Sequence, residues 1–155
     1  MFGYGSLPAE TGGVPCRLGD HRCHWGVAMD NREVIPGYKV YLDPETGERP
    51  PVQVAYLTIT PEPGHHVDGY AFEVTDQQLE ALDRRERNYD RRDVTHLVGE
   101  VAGRVWAYVG SAAGRRRLEH GRRRGTAVVS RGYLERVGVP TDLPVRALLR
   151  RDVGA

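Results

Sequence analysis

The sequence predicts an α+β fold: a small, strongly curved mixed β-sheet or barrel with a few short helices. Apolar residues recur mainly at the two-residue period of β-strands, and only two short stretches have the spacing typical of helices. The predicted order is two strands, a hairpin, a helix, a second hairpin and a helix. Because strands and helices do not alternate regularly, a doubly wound parallel sheet is disfavoured.

Length and composition favour one globular domain over residues 1–155. The net charge of +1 excludes a surface that binds polyanions as a whole. Two cysteines do not form a disulfide framework, and neither a long apolar run nor a signal-peptide pattern occurs. We therefore expect a cytoplasmic protein with no membrane partner, whose oligomeric state the sequence leaves open.

The chain opens with a short strand from Phe2 to Leu7, which Pro8 should end. Glycines on both sides of Tyr4 weaken this strand, so they indicate a bulge, a bend or a close approach of the backbone to a ligand. A second strand is predicted over 21–30. The segment 31–51 is dense in proline, glycine and charge, and it should be a long loop, a feature that is often functional.

Two hairpins are predicted. The first joins strand 52–60, with alternate residues on one face, to strand 67–74 through the turn PEPGHH. The second joins strands 91–99 and 103–110 through a tight turn at Glu100–Gly103.

Two short helices complete the prediction. The first is capped by Thr75, with Gln78 able to reach back as in a capping box, and it ends near Glu86. The second follows Ser130 over SRGYLERVG, ahead of a tail punctuated by prolines.

Glu86 is the residue most suggestive of chemistry. It follows Leu79 and Leu82 by seven and four residues, so all three share one helical face. The run LDRRERNYDRR could simply be a solvated face with local ion pairs. A carboxylate on the apolar face, however, is costly unless it is paired or used.

At this point the sequence resembles a known family. The start FGYGSL, followed some eighty residues later by LDRRERNY, is similar to the gamma-glutamylcyclotransferase family, with its AIG2-like and ChaC-like members. The resemblance covers Phe2 to about Val137, which makes 2–137 the core and 138–155 a tail. It implies a compact α+β fold around a small barrel. It also implies conversion of a gamma-glutamyl amine or peptide to 5-oxoproline and free amine, without metal or nucleotide.

The resemblance implies roles for the opening residues. Tyr4, Gly5, Ser6 and Leu7 would form a turn whose backbone N–H groups bind the glutamyl head of the substrate. The alternative is an edge strand softened by glycine. Many members carry an asparagine between the serine and the leucine, and this chain does not.

The resemblance makes Glu86 the general acid/base. A gamma-glutamyl group carries its own nucleophile, the alpha-amino nitrogen, so proximity is supplied by the substrate. One carboxylate could then remove a proton from the amine and return it to the leaving nitrogen.

Tyrosines could orient the glutamyl head. Tyr108 and Tyr133 match the family's pocket tyrosines, although a core role is open for each, and Tyr89 is a weaker candidate. Selection of the leaving amine could involve Asp30, Asn31, Tyr38 and Lys39.

Three alternatives remain open. His21, Cys23, His24, His65 and His66 could suggest zinc, but they lack a two-plus-two ligand pattern, so we expect no metal. The arginine-rich run 115–124, expected to be a solvated loop, could suggest nucleic acid, but no aromatic residues interleave it. A non-catalytic domain that binds a small gamma-glutamyl or amino-acid ligand is the main competing function.

Overall fold

The computed structural model describes residues 1–5, 12–99 and 101–154. Within these residues lie nine strands and three helices. The strands are β1 (Phe2–Gly3), β2 (Val14–Asp30), β3 (Lys39–Leu42), β4 (Gln53–Ala71), β5 (Tyr89–Asp93), β6 (Trp106–Gly110), β7 (Ala127–Ser130), β8 (Val145–Arg146) and β9 (Leu149–Asp152). The helices are α1 (Asp76–Arg85), α2 (Ala112–Arg124) and α3 (Arg131–Val137), and a single 3-10 turn spans Thr95–Leu97.

The strands form a mixed sheet and two ribbons. The five-stranded sheet has the order β1-β4-β7-β8, with β2 also paired to β4. In it β1 runs antiparallel to β4, whereas β4 with β7 and β7 with β8 are parallel pairs. The ribbons β3-β9 and β5-β6 are antiparallel. The predicted α+β class, with a mixed sheet and a few short helices, is confirmed.

The chain divides into two compact units. Unit 1 consists of Met1–His24 and Leu57–Ser111, and unit 2 of Trp25–Tyr56 and Ala112–Ala155. The division falls within the long strands β2 and β4. The assignment of one domain to 1–155 stays a prediction.

In unit 1, β1 lies unusually close to β4. Phe2 pairs with Ala71 and its side chain is fully buried. A Cβ atom added at Gly69 would stand 2.4 Å from the carbonyl oxygen of Gly3 and 2.7 Å from the ring of Phe2. Only glycine at position 69 lets the two strands approach in this way.

In unit 2, Asn31 organises the segment 31–51. Its buried side-chain amide donates to the carbonyls of Tyr41 and Pro50, at 2.9 Å each, and its Oδ1 accepts from the N–H of Tyr41 at 2.8 Å. The segment was expected to be a loop throughout, but it contains β3, which pairs with β9. The predicted tail 138–155 contributes two strands, β8 and β9.

The first predicted hairpin is wrong, because β4 runs without interruption from Gln53 to Ala71. The segment PEPGHH stays within the strand: Gly64 adopts a φ of +81°, and its N–H donates to Oδ1 of the sequence-distant Asp20 at 3.0 Å. The predicted alternation over 52–60 is also wrong, because residues 52–59 are buried on both faces.

The run 115–124 is a helix, not the expected loop. Arginine is a good helix former, and Gly114, Leu118 and Gly121 form a buried stripe along α2. Two of these three positions are glycine, so the stripe is nearly invisible as a hydrophobic pattern. Five of its six arginines are exposed, whereas the half-buried Arg117 donates from Nε to the carbonyl of Ala28 at 2.7 Å.

The second hairpin and both predicted helices are present. In the second hairpin, β5 pairs with β6 so that Tyr89 lies opposite Gly110 at one end and Asp93 opposite Trp106 at the other. The first strand ends earlier than expected, and the 3-10 turn follows it. The predicted tight turn includes Glu100, which lies outside the described residues. Thr75 and Gln78 form the predicted capping box, and α3 follows Ser130 without a side-chain cap.

Candidate active site

Glu86 lies at the C-terminal end of α1 in unit 1. It is the C-cap residue, and its N–H donates to the carbonyl of Leu82 at 2.8 Å. Its side chain is 15% exposed, against 42% for Arg85, whose Nε lies 3.7 Å from Glu86 Oε1. Leu79 and Leu82 pack on the same cluster as the buried ring of Tyr108. Glu86 is thus more shielded from water than its neighbour in sequence.

Tyr108 lies on β6 with its ring buried. Its hydroxyl donates to Asp83 Oδ1 at 2.7 Å. Burial raises the pKa of Tyr108, and the hydrogen bond and charge of Asp83 and then the charge of Glu86 raise it further. The phenol therefore stays protonated near neutral pH, with the Asp83 carboxylate of α1 accepting its hydrogen bond.

The opening residues reach Tyr108 through a hydrogen bond. The hydroxyl of Tyr4 donates to the main-chain carbonyl of Tyr108, and the Tyr4 side chain is buried. Gly5 adopts a φ of +65°, in the left-handed region that favours glycine. The predicted site residues Ser6 and Leu7 lie outside the described residues.

A salt-bridged group that the sequence did not single out completes this part of unit 1. Arg91 Nε lies 3.0 Å from Asp83 Oδ1, and Arg91 Nη2 lies 3.2 Å from Asp83 Oδ2. The guanidinium of Arg91 stacks on Trp106, 4.4 Å from the ring centroid. In the sequence, the spacing of Asp83 and Glu86 could have pointed to Asp83, because residues three apart on a helix share a face.

Tyr133 lies in unit 2, in an aromatic cluster. Its buried ring makes edge contacts with Tyr56 and Trp25, with centroid distances of 5.1 and 5.6 Å. The guanidinium of Arg136 lies 5.9 Å from the ring centroid. These contacts give Tyr133 a packing role in unit 2, and its role towards substrate stays a prediction.

The remaining candidates have structural contacts. The hydroxyl of Tyr89 donates to the carbonyl of Leu57 at 2.6 Å, within unit 1. In unit 2, Asp30 pairs with Arg32, and that hydrogen bond lowers the pKa of Asp30. Lys39 Nζ lies over the rings of Tyr56 and Tyr38, at 4.5 and 5.3 Å from their centroids.

The histidines and Cys23 occupy separate environments. His21 Nδ1 lies 2.9 Å from the carbonyl of Gly19, and His24 Nε2 lies 3.3 Å from the hydroxyl of Thr60. Burial raises the pKa of the Cys23 thiol to about 11, which disfavours a thiolate ligand. Among the described residues, no group of three or more His, Cys, Asp or Glu side chains is arranged to hold a metal ion.

Two hollows of unit 1 flank α1. One, of about 600 Å³, is lined by Asp83, Tyr108 and the β5-β6 residues around Arg91 and Trp106. The other, of about 800 Å³, lies along Gly12–Val14, the residues 71–74 and the α1 positions Gln78, Ala81, Leu82 and Arg85. The smaller hollow is lined by both Tyr108 and its carboxylate partner Asp83, whereas Glu86 is not among the residues that line either hollow.

Comparisons with known proteins give one result. A family model described as gamma-glutamyl cyclotransferase, AIG2-like, matches residues 1–125. No curated protein and no solved structure matches the chain. Among helices of the described ranges, none has the length and apolar character needed to cross a bilayer. The matched residues cover most of the chain and include Glu86, Tyr108 and the opening turn, and the chain therefore belongs to the gamma-glutamyl cyclotransferase, AIG2-like family.

Proposed function

We propose that the chain is a cofactor-independent gamma-glutamylcyclotransferase that acts on a gamma-glutamyl amine or peptide in the cytoplasm. The observation that supports the proposal is the shielding of Glu86 from water. Its side chain, at the end of α1, is only 15% exposed, and its charge adds to the effects that raise the pKa of Tyr108. Family membership supplies the reaction class.

Glu86 would act as the acid/base for ring closure. The alpha-ammonium of the substrate first gives a proton to the Glu86 carboxylate, which frees the nitrogen lone pair. The nitrogen attacks the gamma-carbonyl carbon, and a tetrahedral oxyanion forms. The bond from this carbon to the leaving nitrogen then breaks as that nitrogen takes the proton from Glu86. The second proton of the ring nitrogen leaves to water, giving 5-oxoproline and the free amine.

The opening turn would stabilise the oxyanion and hold the glutamyl head. Gly5 in the left-handed conformation supports this, because such a turn can direct successive N–H groups to one anion. Donors of this kind contribute roughly 2.7–4 kcal/mol in other enzymes. Ser6 and Leu7 belong to this proposed cradle by their match to the family.

Two tyrosines would contribute to substrate binding. Tyr108 offers a phenol oxygen that can accept a hydrogen bond from a bound amine, and Tyr133 is carried over from the family's pocket tyrosines. The leaving amine is open: glutathione, a gamma-glutamyl amino acid, a gamma-glutamylamine and an acylated natural-product intermediate all contain the required amide.

A substrate panel tests the proposal. Wild type is incubated with these four classes of compound, and 5-oxoproline is quantified by mass spectrometry. Glu86→Gln should lower turnover by about a hundredfold or more, since general acid/base groups contribute roughly 10²–10⁴ in rate. Glu80→Gln, the same change at an exposed position of α1, is the matched control and should turn over normally.

Two outcomes count against the proposal. Equal turnover by wild type and Glu86→Gln would remove Glu86 from the reaction. If wild type releases no 5-oxoproline but binds a panel member by calorimetry, the non-catalytic ligand-binding domain becomes the correct function.

A further inference from the structure

We propose that Asp83 is a positioning residue, which fixes the hydroxyl of Tyr108 near the C-terminal end of α1 and is itself held by Arg91. The inference deepens the proposed function and rests on it for its kinetic part. It concerns a residue with no assigned role, three positions before the proposed acid/base on the same helix.

The hydroxyl of Tyr108 donates its proton to Asp83. A tyrosine hydroxyl has a single proton to donate. In Tyr108 that proton goes to Asp83 Oδ1 at 2.7 Å. It is therefore not donated to Glu86. The phenol oxygen of Tyr108 can then act only as an acceptor towards a bound amine.

Arg91 holds the carboxylate of Asp83 in place. Arg91 donates to both of its carboxylate oxygens, at 3.0 and 3.2 Å, in the forked geometry that fixes a carboxylate in rotation as well as position. Arg91 is in turn stacked on Trp106 at 4.4 Å. The side chains of Asp83 and Arg91 are 37% and 28% exposed. The pair is therefore restrained by its two hydrogen bonds and by the stacking of Arg91, and not by burial alone.

The register of β5 with β6 brings the side chains that contact Asp83 to one face of the ribbon. Arg91 and Tyr108 are directly paired across β5 and β6, so their side chains lie on one face of the ribbon. Trp106 is two residues from Tyr108 and shares that face. The ribbon thus presents Trp106, Arg91 and Tyr108 together to the end of α1, where Asp83 meets two of them.

A double-mutant cycle tests the kinetic part. Asp83→Asn removes the charge and the fork to Arg91, and it should lower kcat/KM about tenfold or more, since hydrogen bonds to charged groups are among the stronger ones. Tyr108→Phe should cause a similar loss. If Asp83 acts through Tyr108, Asp83→Asn in the Tyr108→Phe background should add less than about a twofold loss.

Controls separate positioning from folding. Asp68→Asn removes an exposed carboxylate paired with Arg17 in the same unit and should leave kcat/KM unchanged. Asp83→Glu keeps the carboxylate and should recover part of the activity lost in Asp83→Asn. An equal loss from Asp83→Asn in both backgrounds would overturn the proposal.

A spectroscopic measurement tests the geometry without turnover. With ¹³Cζ-labelled tyrosine, the Tyr108 resonance is identified by its absence in Tyr108→Phe and followed as the pH rises. In Asp83→Asn it should shift and titrate at lower pH than in wild type, because a hydrogen-bonded negative charge is lost. An unchanged resonance and titration would refute the positioning of Tyr108, whatever the activity.

The two proposals fail differently. If wild type makes no 5-oxoproline, the proposed function is wrong and the NMR titration alone decides the role of Asp83. If wild type is active but Asp83→Asn leaves Tyr108 unperturbed, the function stands and the positioning role is rejected.

Discussion

The hydroxyl of Tyr4 donates to the main-chain carbonyl of Tyr108, linking the residue after β1 to strand β6 across 104 positions of the chain. Tyr108 in turn donates from its own hydroxyl to Asp83 on α1. One tyrosine therefore connects the opening turn to the helix end that bears Glu86, by its backbone on one side and its side chain on the other.

Tyr4→Phe should destabilise the protein by about 1 kcal/mol or more, because a buried hydrogen bond is lost and its acceptor stays behind. The free energy of unfolding in urea measures this change. Tyr70→Phe, at an exposed ring of unit 1, should change it by less than about 0.5 kcal/mol. Equal effects of the two substitutions would show that the Tyr4 hydroxyl contributes nothing.

Gly69→Ala should destabilise by about 2 kcal/mol or more, because the added methyl group meets the backbone of β1 and cannot be relieved by a side-chain rotation. Gly132→Ala is the matched control in α3, where nothing lies within 4 Å of the added atom. It should stabilise by up to about 1 kcal/mol through helix propensity. Thermal unfolding that ranks the two variants the other way would contradict the close approach of β1 and β4.

Asn31→Ala should destabilise by about 2–4 kcal/mol, because three buried hydrogen bonds to Tyr41 and Pro50 are lost together. Glu45→Ala, in the same segment but exposed, should have little effect. Hydrogen exchange should show faster exchange across β3 and β9 in Asn31→Ala only. Unchanged protection there would mean that the segment is held by other contacts.

Cys23 should make stability fall at alkaline pH. Burial raises its pKa from 9.0 to about 11, so the folded state keeps a proton that the unfolded state loses. This contribution is complete below about pH 9 and is lost as the pH rises towards 11. The free-energy difference between wild type and Cys23→Ala, measured by urea unfolding, should shift in favour of the variant between pH 8.5 and 11. A constant difference would contradict the raised pKa.

The sequence was sufficient to predict the structure where contacts within a short segment decide the conformation. The capping box at Thr75 and Gln78 is a contact within one helical turn, and it was predicted correctly. The class and the family followed from two short motifs and from the order of elements.

The sequence was insufficient to predict the structure where partners distant in sequence decide the conformation. PEPGHH looks like a turn, but β4 continues through it with Asp20 accepting from Gly64. The helix α2 was missed because its buried stripe is mainly glycine. In the candidate site, the spacing of Leu79, Leu82 and Glu86 could be read from the sequence. The contribution of Arg91 and Trp106 could not, because it depends on the register of β5 with β6.

The two-part construction of unit 2 has a consequence for synthesis on the ribosome. Residues 25–56 precede two of their strand partners in the chain, since β7 ends at Ser130 and β9, the pairing partner of β3, ends at Asp152. The segment 25–56 can therefore complete its strand pairing only after residue 152 has been translated. Unit 1 has all of its residues by Ser111 and can close first.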